Sequence, residues 1–268
     1  MKTGRIGKFT LALGSVIVII YGLRLYFLPT TVNEQHELVL TAKNRQQAQA
    51  LPDFSAIKDI PSRKQAFFDY LRPIVQKRNT IIGEQRSFLT STQRTLEEGH
   101  QLDNAARFRV KKIAKEYQFS FTRINKKTIR NLLKRVDVVP IDLVLVQAAN
   151  ESGWGSSRFA REGLNFFGQW CFTKGCGLVP SSRTKGLSHE VSVFDSVEDS
   201  IASYMRNLNS NGAYRLFRSI RADLRNQGFE PAAAELAYGL INYSERQEAY
   251  IDELLDMLRH NKKYLVKK

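Results

Sequence analysis

The distribution of apolar and polar residues divides this chain into four segments. Residues 9–28 form an almost uncharged apolar stretch, and three basic residues precede it. About 20 apolar residues span a bilayer as a helix, and preceding positive charges keep that end in the cytoplasm. We therefore predict a signal anchor or a signal peptide in residues 1–29, with a buried helix of a soluble domain as the alternative. The bulky residues before Pro29 favour an anchor that is not cleaved.

Two further segments precede the central part of the chain. Residues 30–61 are polar and rich in Gln and Asn, which predicts a tether from the membrane to the first folded element. In residues 62–127 apolar positions return at helical spacing. We predict a helical region here, with Ser62 as its N-cap and with a kink or a new helix at Pro73.

The stretch from Ile141 to Trp170 combines an apolar run with an unusual ending. The run predicts a buried helix, and Gly153 and Gly155 predict its end because glycine is favoured where a chain leaves the helical conformation. Glu151 then falls in the last turn, where the helix dipole and apolar neighbours disfavour an ionised carboxylate. General-acid cleavage of a glycosidic bond requires a carboxylic acid that stays protonated near neutral pH. A solvated helix end is the alternative interpretation.

Charge points to an anionic partner. The 268 residues include 41 Lys and Arg against 26 Asp and Glu, a formal net charge of +15. Nucleic acid, a polyanionic cell wall and lipid headgroups would each satisfy this charge. No groove-reading or base-stacking motif accompanies the basic residues, so we do not expect a nucleic-acid partner.

The central stretch resembles a known family. Gln147 to Ser157 matches the pattern Q-x-x-x-E-S-x-W-G-x-S, and Asn165 to Gly168 matches N-x-F-G. These are motifs of the glucosaminidase family of peptidoglycan hydrolases. The resemblance extends from about Thr128 to Tyr264, and the whole chain is most similar to Bax-type members. It implies a mainly α-helical fold: a lysozyme-like α+β catalytic domain in residues 128–268 with a small β-hairpin lobe, preceded by helices and an N-terminal membrane segment.

The resemblance also implies an active site. Glu151 would be the general acid, and Glu190, in the predicted hairpin lobe, would be a second acidic residue facing it. Tyr243 corresponds to a tyrosine that contributes to the family's active site, and it would position the sugar. Asp195 is a second candidate for the second carboxylate. Substrate-binding roles are implied for Trp154, Asn165, Phe167, Gly168, Asp195 and Tyr250. Packing in the core is the alternative for Trp154, Phe166, Phe167 and Trp170, and we expect at least two of these four to be buried.

Cys171 and Cys176 are the two cysteines of the chain. In an oxidising compartment such a pair is expected to form a disulfide. A metal site is the alternative, but His189 is the one further ligand nearby, and the set is incomplete for zinc. We therefore predict a disulfide, with no metal and no cofactor.

Together these inferences predict a hydrolase that cleaves the β-1,4 bond between N-acetylglucosamine and N-acetylmuramic acid. Its partners would be peptidoglycan glycan strands and, through residues 9–28, the inner membrane. We expect a monomer in the periplasm, or a secreted protein if the segment is cleaved. A non-catalytic glycan-binding module and a membrane-surface interaction protein are the alternatives.

Overall fold

Helix α1 (Ile60–Glu97) is the longest element of the computed structural model, which describes residues 51–180 and 189–266. The carboxylate of Asp59 accepts a hydrogen bond from the Ser62 backbone N–H at 2.9 Å. Asp59 is therefore the N-cap, and the prediction that Ser62 has this role is wrong. Both residue types can cap a helix, and the sequence does not show which side chain is in position.

Helix α1 continues through Pro73 without a break. A second helix therefore does not begin at Pro73, whereas the predicted kink stays a prediction. A proline inside a helix costs about 3 kcal/mol because it removes one hydrogen bond and crowds the preceding turn. Leu71 and Val75, on either side of it, are fully buried. Burial of such side chains contributes about 1.5–3 kcal/mol each, which is enough to offset the proline.

Nine shorter helices follow within the described residues, and two of them, together with α1, contact the helix that contains Glu151. That central helix is α4 (Ile141–Ser152), and its residues 143–146 are fully buried. The others are α2 (Asn104–Glu116), α3 (Lys126–Leu133), α5 (Arg158–Gly163), α6 (Val197–Ser210), α7 (Arg215–Asn226), α8 (Ala233–Ala237), α9 (Glu248–His260) and α10 (Lys262–Leu265). Helices α1, α8 and α9 pack against α4. Single-turn 3-10 helices occupy Phe54–Ala56, Gly212–Tyr214 and Tyr238–Leu240.

A small antiparallel sheet follows α5. Its strands are β1 (Trp170–Cys171), β2 (Gly177–Leu178) and β3 (Glu190–Ser192), in the order β1-β3-β2. Cys171 lies opposite Glu190, and Leu178 lies opposite Val191. A mainly helical fold with a small antiparallel sheet fits the predicted lysozyme-like α+β architecture.

The helical region before residue 128 shares its core with the rest of the described chain. Phe67 and Phe68 of α1 are fully buried, and their rings contact the ring of Trp154 at centroid distances of 5.6 and 5.2 Å. Phe54, within the predicted tether, is 2% exposed and packs on Phe67 at 5.2 Å. The folded part therefore begins before residue 62, and no boundary in packing separates residues 62–127 from those that follow.

Asp137, in the loop between α3 and α4, joins two helices through arginines. Its carboxylate is 2.8 Å from Arg225, 3.3 Å from Arg86 and 3.8 Å from Arg221. Asp137 is 2% exposed and Arg221 is 1% exposed. Arg221 also donates to the backbone carbonyl groups of Asp137 and Val138. This cluster fixes α1 and α7 to the segment that leads into α4.

Among the described residues, no helix has both the length and the apolar character needed to cross a bilayer. The predicted membrane segment, residues 9–28, lies outside the described residues.

Candidate active site

The end of α4 positions Glu151. Gly153, Trp154 and Gly155 have φ angles of 56°, 59° and 77°, so three successive residues are in the left-handed region. A side chain at Gly155 would also come within 2.7 Å of the Phe54 ring. The Ser152 hydroxyl accepts a hydrogen bond from the Gly155 N–H at 2.8 Å. The helix thus ends where the sequence predicted, with Glu151 in its last turn.

A chain of buried polar side chains leads to Glu151. The Tyr250 hydroxyl donates to Oε1 of Glu151 at 2.8 Å, and Nε2 of Gln147 donates to the Tyr250 oxygen at 2.9 Å. The Tyr204 hydroxyl donates to Oε1 of Gln147. Gln147 and Glu151 are four residues apart, so they lie on the same face of α4. Each side chain therefore holds the next, and the carboxyl group of Glu151 is fixed in direction.

Electrostatics favours the protonated form of Glu151. Burial raises the pKa of its carboxyl group above the ordinary value of 4.5, and this is the largest effect. The hydrogen bond from Tyr250 and the charge of Arg246 lower the pKa, whereas the charge of Glu253 raises it. The net direction is upward, as expected from the sequence. Such a group can donate a proton at a higher pH than an exposed glutamate.

The ring of Tyr243 packs against the ring of Tyr250, the tyrosine that is hydrogen-bonded to Glu151. The two rings stack with centroids 5.3 Å apart and an interplanar angle of 7°. The Tyr243 hydroxyl donates to the Phe167 carbonyl at 3.0 Å. Burial raises the pKa of Tyr243 well above its ordinary value, so it remains neutral. Tyr250 is thus the tyrosine that contacts Glu151, and the sugar-positioning role of Tyr243 stays a prediction.

The loop after α5 is held together by its own asparagine. Asn165 is 1% exposed, and its amide nitrogen donates to the carbonyl groups of Gln169 and Ser192, both at 2.9 Å. The ring of Phe167 is 3% exposed and stacks on Tyr204 at 3.9 Å. Asn165 and the Phe167 ring therefore shape the loop from inside in this conformation. Gly168 is exposed, with a φ of 62°.

The aromatic residues divide as expected. Phe166 and Phe167 are buried, which confirms that at least two of the four belong to the core. Trp154 is partly exposed, and Trp170 is 58% exposed with its ring stacked on His189 at 4.3 Å. Trp154 and Trp170 are therefore the two whose rings remain accessible.

Glu190 is held by the loop that the disulfide closes. The Cys171–Cys176 disulfide is present, which confirms the prediction. The Glu190 carboxylate is 5% exposed and accepts hydrogen bonds from the N–H groups of Gly175 at 3.1 Å and Gly177 at 2.9 Å. It lies close to both sulfur atoms, but these are bonded to each other and not available as thiolate ligands. Its catalytic role stays a prediction.

Asp195 is exposed and directly precedes Ser196, whose hydroxyl caps α6 by accepting from the Asp199 N–H at 3.0 Å. Its role in catalysis also stays a prediction.

The replacement Glu190→Gln is expected to destabilise the small sheet. A hydrogen bond to a charged group contributes about 1.5–3 kcal/mol, and an amide offers one neutral acceptor oxygen where the carboxylate offers two charged ones. Faster proteolysis of the loop between Cys171 and Glu190, with α-helical circular dichroism unchanged, is the expected result. Glu162→Gln, on the exposed surface of α5, is the matched control. Equal proteolysis of the two variants would contradict a structural role of Glu190.

Two members of the hydrogen-bonded chain that leads to Glu151, Gln147 and Tyr204, have no predicted role from the sequence. Gln147 belongs to the recognised pattern, and its spacing of four residues from Glu151 could have indicated a shared face. The sequence patterns assign no functional role to Tyr204. It is 1% exposed, and no local pattern distinguishes a buried tyrosine that holds a glutamine from one that only packs.

The fold and the site together indicate a class of protein. A partly buried carboxyl group at the end of a central helix, in a mainly helical fold with a small β-sheet, is an arrangement suited to glycoside hydrolysis. The family described as mannosyl-glycoprotein endo-beta-N-acetylglucosaminidase matches residues 126–263, and the chain belongs to this glucosaminidase family. It is 35% identical to Protein bax of Escherichia coli (strain K12) over 225 residues, which cover 84% of this chain and 79% of the relative. No solved structure matches the chain.

Proposed function

We propose that the protein hydrolyses the β-1,4 bond between N-acetylglucosamine and N-acetylmuramic acid in peptidoglycan, with Glu151 as the general acid. The observation that carries this proposal is the Glu151 carboxyl group. Burial raises its pKa, and the Tyr250 hydroxyl fixes its direction. Glu151 would donate its proton to the glycosidic oxygen as the bond from C1 to that oxygen breaks.

The positive charge that develops at C1 needs a nucleophile on the opposite face of the sugar. Glu190 is bonded to the backbone of the disulfide loop, so we favour the substrate's own acetamido oxygen, which would form a bond to C1 as the leaving group departs. Water would then attack C1 as the bond between C1 and the acetamido oxygen breaks, with the Glu151 carboxylate accepting the proton of the water. A direct attack by water would instead require a second carboxylate about 6.5–9.5 Å away. Glu190 and Asp195 remain the candidates for that role.

Analysis of the reaction products tests this proposal. Purified peptidoglycan would be digested with the chain lacking residues 1–29, then reduced with borohydride and analysed by mass spectrometry. Fragments that end in reduced N-acetylglucosamine support the proposal if Glu151→Gln does not produce them. Fragments that end in reduced N-acetylmuramic acid would keep the general acid but overturn the assigned bond.

A glycan-binding module without catalysis is the second candidate. The observation in its favour is the use of the Glu190 carboxylate within the sheet. The test is whether the protein binds insoluble peptidoglycan without releasing fragments from it. Equal binding by the wild type and Glu151→Gln, with no fragments from either, would favour this candidate over the enzyme.

We also propose a periplasmic location with an anchor in residues 9–28, based on the apolar stretch and the basic residues before it. Extraction of the full chain from inner membranes by detergent but not by high salt would support this location. Extraction by salt alone would contradict it.

The replacement Tyr250→Phe is expected to extend activity to higher pH. The Tyr250 hydroxyl stabilises the ionised form of Glu151, so its removal raises the pKa of the acid. The basic limb of the kcat profile reports ionisation of this acid, and it should therefore move upward. Tyr243→Phe is the control, because the Tyr243 hydroxyl donates to a backbone carbonyl instead. A basic limb that stays in place, or moves down, in Tyr250→Phe would contradict this assignment.

A further inference from the structure

A cavity of about 620 Å³ opens at the C-terminal end of α4. Asn150 and Gly153, on either side of Glu151 in the sequence, line it together with Trp154. Glu253 of α9 also lines it, and the charge of Glu253 acts on the pKa of Glu151. Glu151 itself does not line the cavity, so a ligand bound there would lie at a neighbouring face of the end of α4, close to the group to which we assign the proton transfer. The volume is within the range of about 300–1,000 Å³ that is typical of ligand sites.

The cavity contains a lysine from outside the family-matched segment. Lys64 belongs to α1, whereas the match begins at residue 126. Its ammonium group donates to Oδ1 of Asn261 at 2.8 Å and lies 5.1 Å from the centroid of the Trp154 ring. It is partly buried, and within the described ranges 51–180 and 189–266 it forms no ion pair. Both of these contacts, an amide oxygen and an aromatic ring, are neutral, so the partly buried ammonium group can receive an anion.

The acidic side chains of the cavity do not supply that anion. Glu253 is paired with Arg246 at 2.6 Å, and Asp256 is paired with Arg259. Each carboxylate therefore has its own arginine. The charge in the lining that lacks an opposite partner is the positive charge of Lys64, which favours a ligand that carries a carboxylate.

We propose that this cavity binds the acidic peptide stem of peptidoglycan, with Lys64 receiving a stem carboxylate. This inference rests on the proposed function. In intact peptidoglycan the lactyl group of N-acetylmuramic acid is linked to the peptide by an amide, so the glycan backbone is neutral and the free carboxylates belong to the peptide. The stem next to the scissile bond would enter the cavity while that bond lies at Glu151. Residues of α1 would thus select stem-bearing over bare glycan.

The test compares two substrates. One is intact peptidoglycan, and the other is the same glycan after an N-acetylmuramoyl-L-alanine amidase has removed the stems, which leaves only the lactyl carboxylate close to each N-acetylmuramic acid ring. We expect a higher kcat/KM for the intact substrate. A charge-assisted hydrogen bond contributes enough to change affinity roughly tenfold to a hundredfold, so Lys64→Gln should reduce the preference by that factor. Its kcat on the stripped glycan should be unchanged. An unchanged preference would overturn the inference.

Two further variants separate charge from folding. Lys64→Arg keeps the cation and should retain most of the preference, whereas a general packing defect would affect Arg and Gln alike. Arg94→Gln removes a positive charge from the same helix, 30 residues away and thus about 45 Å along its axis. It should leave the preference unchanged. If it lowers the preference as much as Lys64→Gln does, the effect is one of net charge and the inference is wrong.

A binding assay distinguishes failure of this inference from failure of the proposed function. Trp154 lines the cavity, and the chain has two tryptophans. In a Trp170→Phe background, the fluorescence of Trp154 reports on a soluble stem tripeptide without any turnover. A response in the wild-type cavity that Lys64→Gln weakens supports the site even if no glycan is cleaved. Cleavage of both substrates without a fluorescence response would contradict the site and leave the hydrolase assignment intact.

Discussion

Glu151→Gln is expected to lower kcat on peptidoglycan by about 10²–10⁴-fold, the usual contribution of a positioned general acid. Glutamine can still accept the hydrogen bond from Tyr250, so the fold and substrate binding should be retained. It cannot donate the proton that the leaving oxygen requires. Initial rates of release of reducing ends, measured with saturating substrate, provide the comparison. Glu235→Gln, on the exposed surface of α8, is the control and should keep full activity. Residual turnover above about one tenth would show that another group supplies the proton.

The same variant should be more stable at high pH. Burial raises the pKa of folded Glu151 above its ordinary value of 4.5, so the native state holds this proton more tightly than the unfolded chain does. The resulting stabilisation is present at low pH and is lost as pH rises through the raised value. Glutamine does not ionise and escapes this loss. We expect equal Tm values for the wild type and Glu151→Gln well below pH 4.5, and a higher Tm for the variant at alkaline pH.

Asp137→Asn is expected to lower the free energy of unfolding by about 3–5 kcal/mol, as when one partner of a buried ion pair is removed. Arg221 is 1% exposed and would keep its charge without the carboxylate 3.8 Å away. Arg86 and Arg225 would lose the same partner. The four arginine and aspartate side chains are contributed by α1, α7 and the loop before α4, so the loss should affect global unfolding.

Urea denaturation followed by circular dichroism measures this loss. Asp252→Asn, at an exposed position of α9, is the matched control and should change the stability by less than about 0.5 kcal/mol. A change of similar size in both variants would show that the Asp137 carboxylate does not stabilise the arginines. Backbone carbonyl groups, such as those that Arg221 contacts, would then be their main partners.

The sequence was informative where the local signal was strong. Gly153 and Gly155 predicted the end of α4 because few other residues adopt positive φ without strain. The two cysteines predicted their disulfide for the same kind of reason, since few alternatives were open to them. The same glycines predict that Glu151 lies in the last turn of α4. That position in turn predicts a raised pKa of its carboxyl group.

The signal was weaker where packing decides. Pro73 is a strong helix breaker by local rules, but burial on both sides outweighs it. The family resemblance gives Tyr243 as the active-site tyrosine and Tyr250 as a substrate-binding residue, and only the folded chain shows that Tyr250 donates the hydrogen bond to Glu151. Glu190 was expected to face Glu151 across the cleft. Nothing local indicated that the N–H groups of Gly175 and Gly177 would bind its carboxylate.

The packing of α1 on the rest of the molecule has a consequence for how this chain could have evolved. Residues 126–263 match the family by themselves, which suggests a unit that can be exchanged among proteins. In this chain, however, Phe67 and Phe68 pack against Trp154, which belongs to the same motif as Glu151. Recombination at residue 126 would remove these rings and leave an apolar surface exposed to water. Selection must therefore act on α1 and the hydrolase segment as one inherited unit, and substitutions at their contact should be found in compensating pairs.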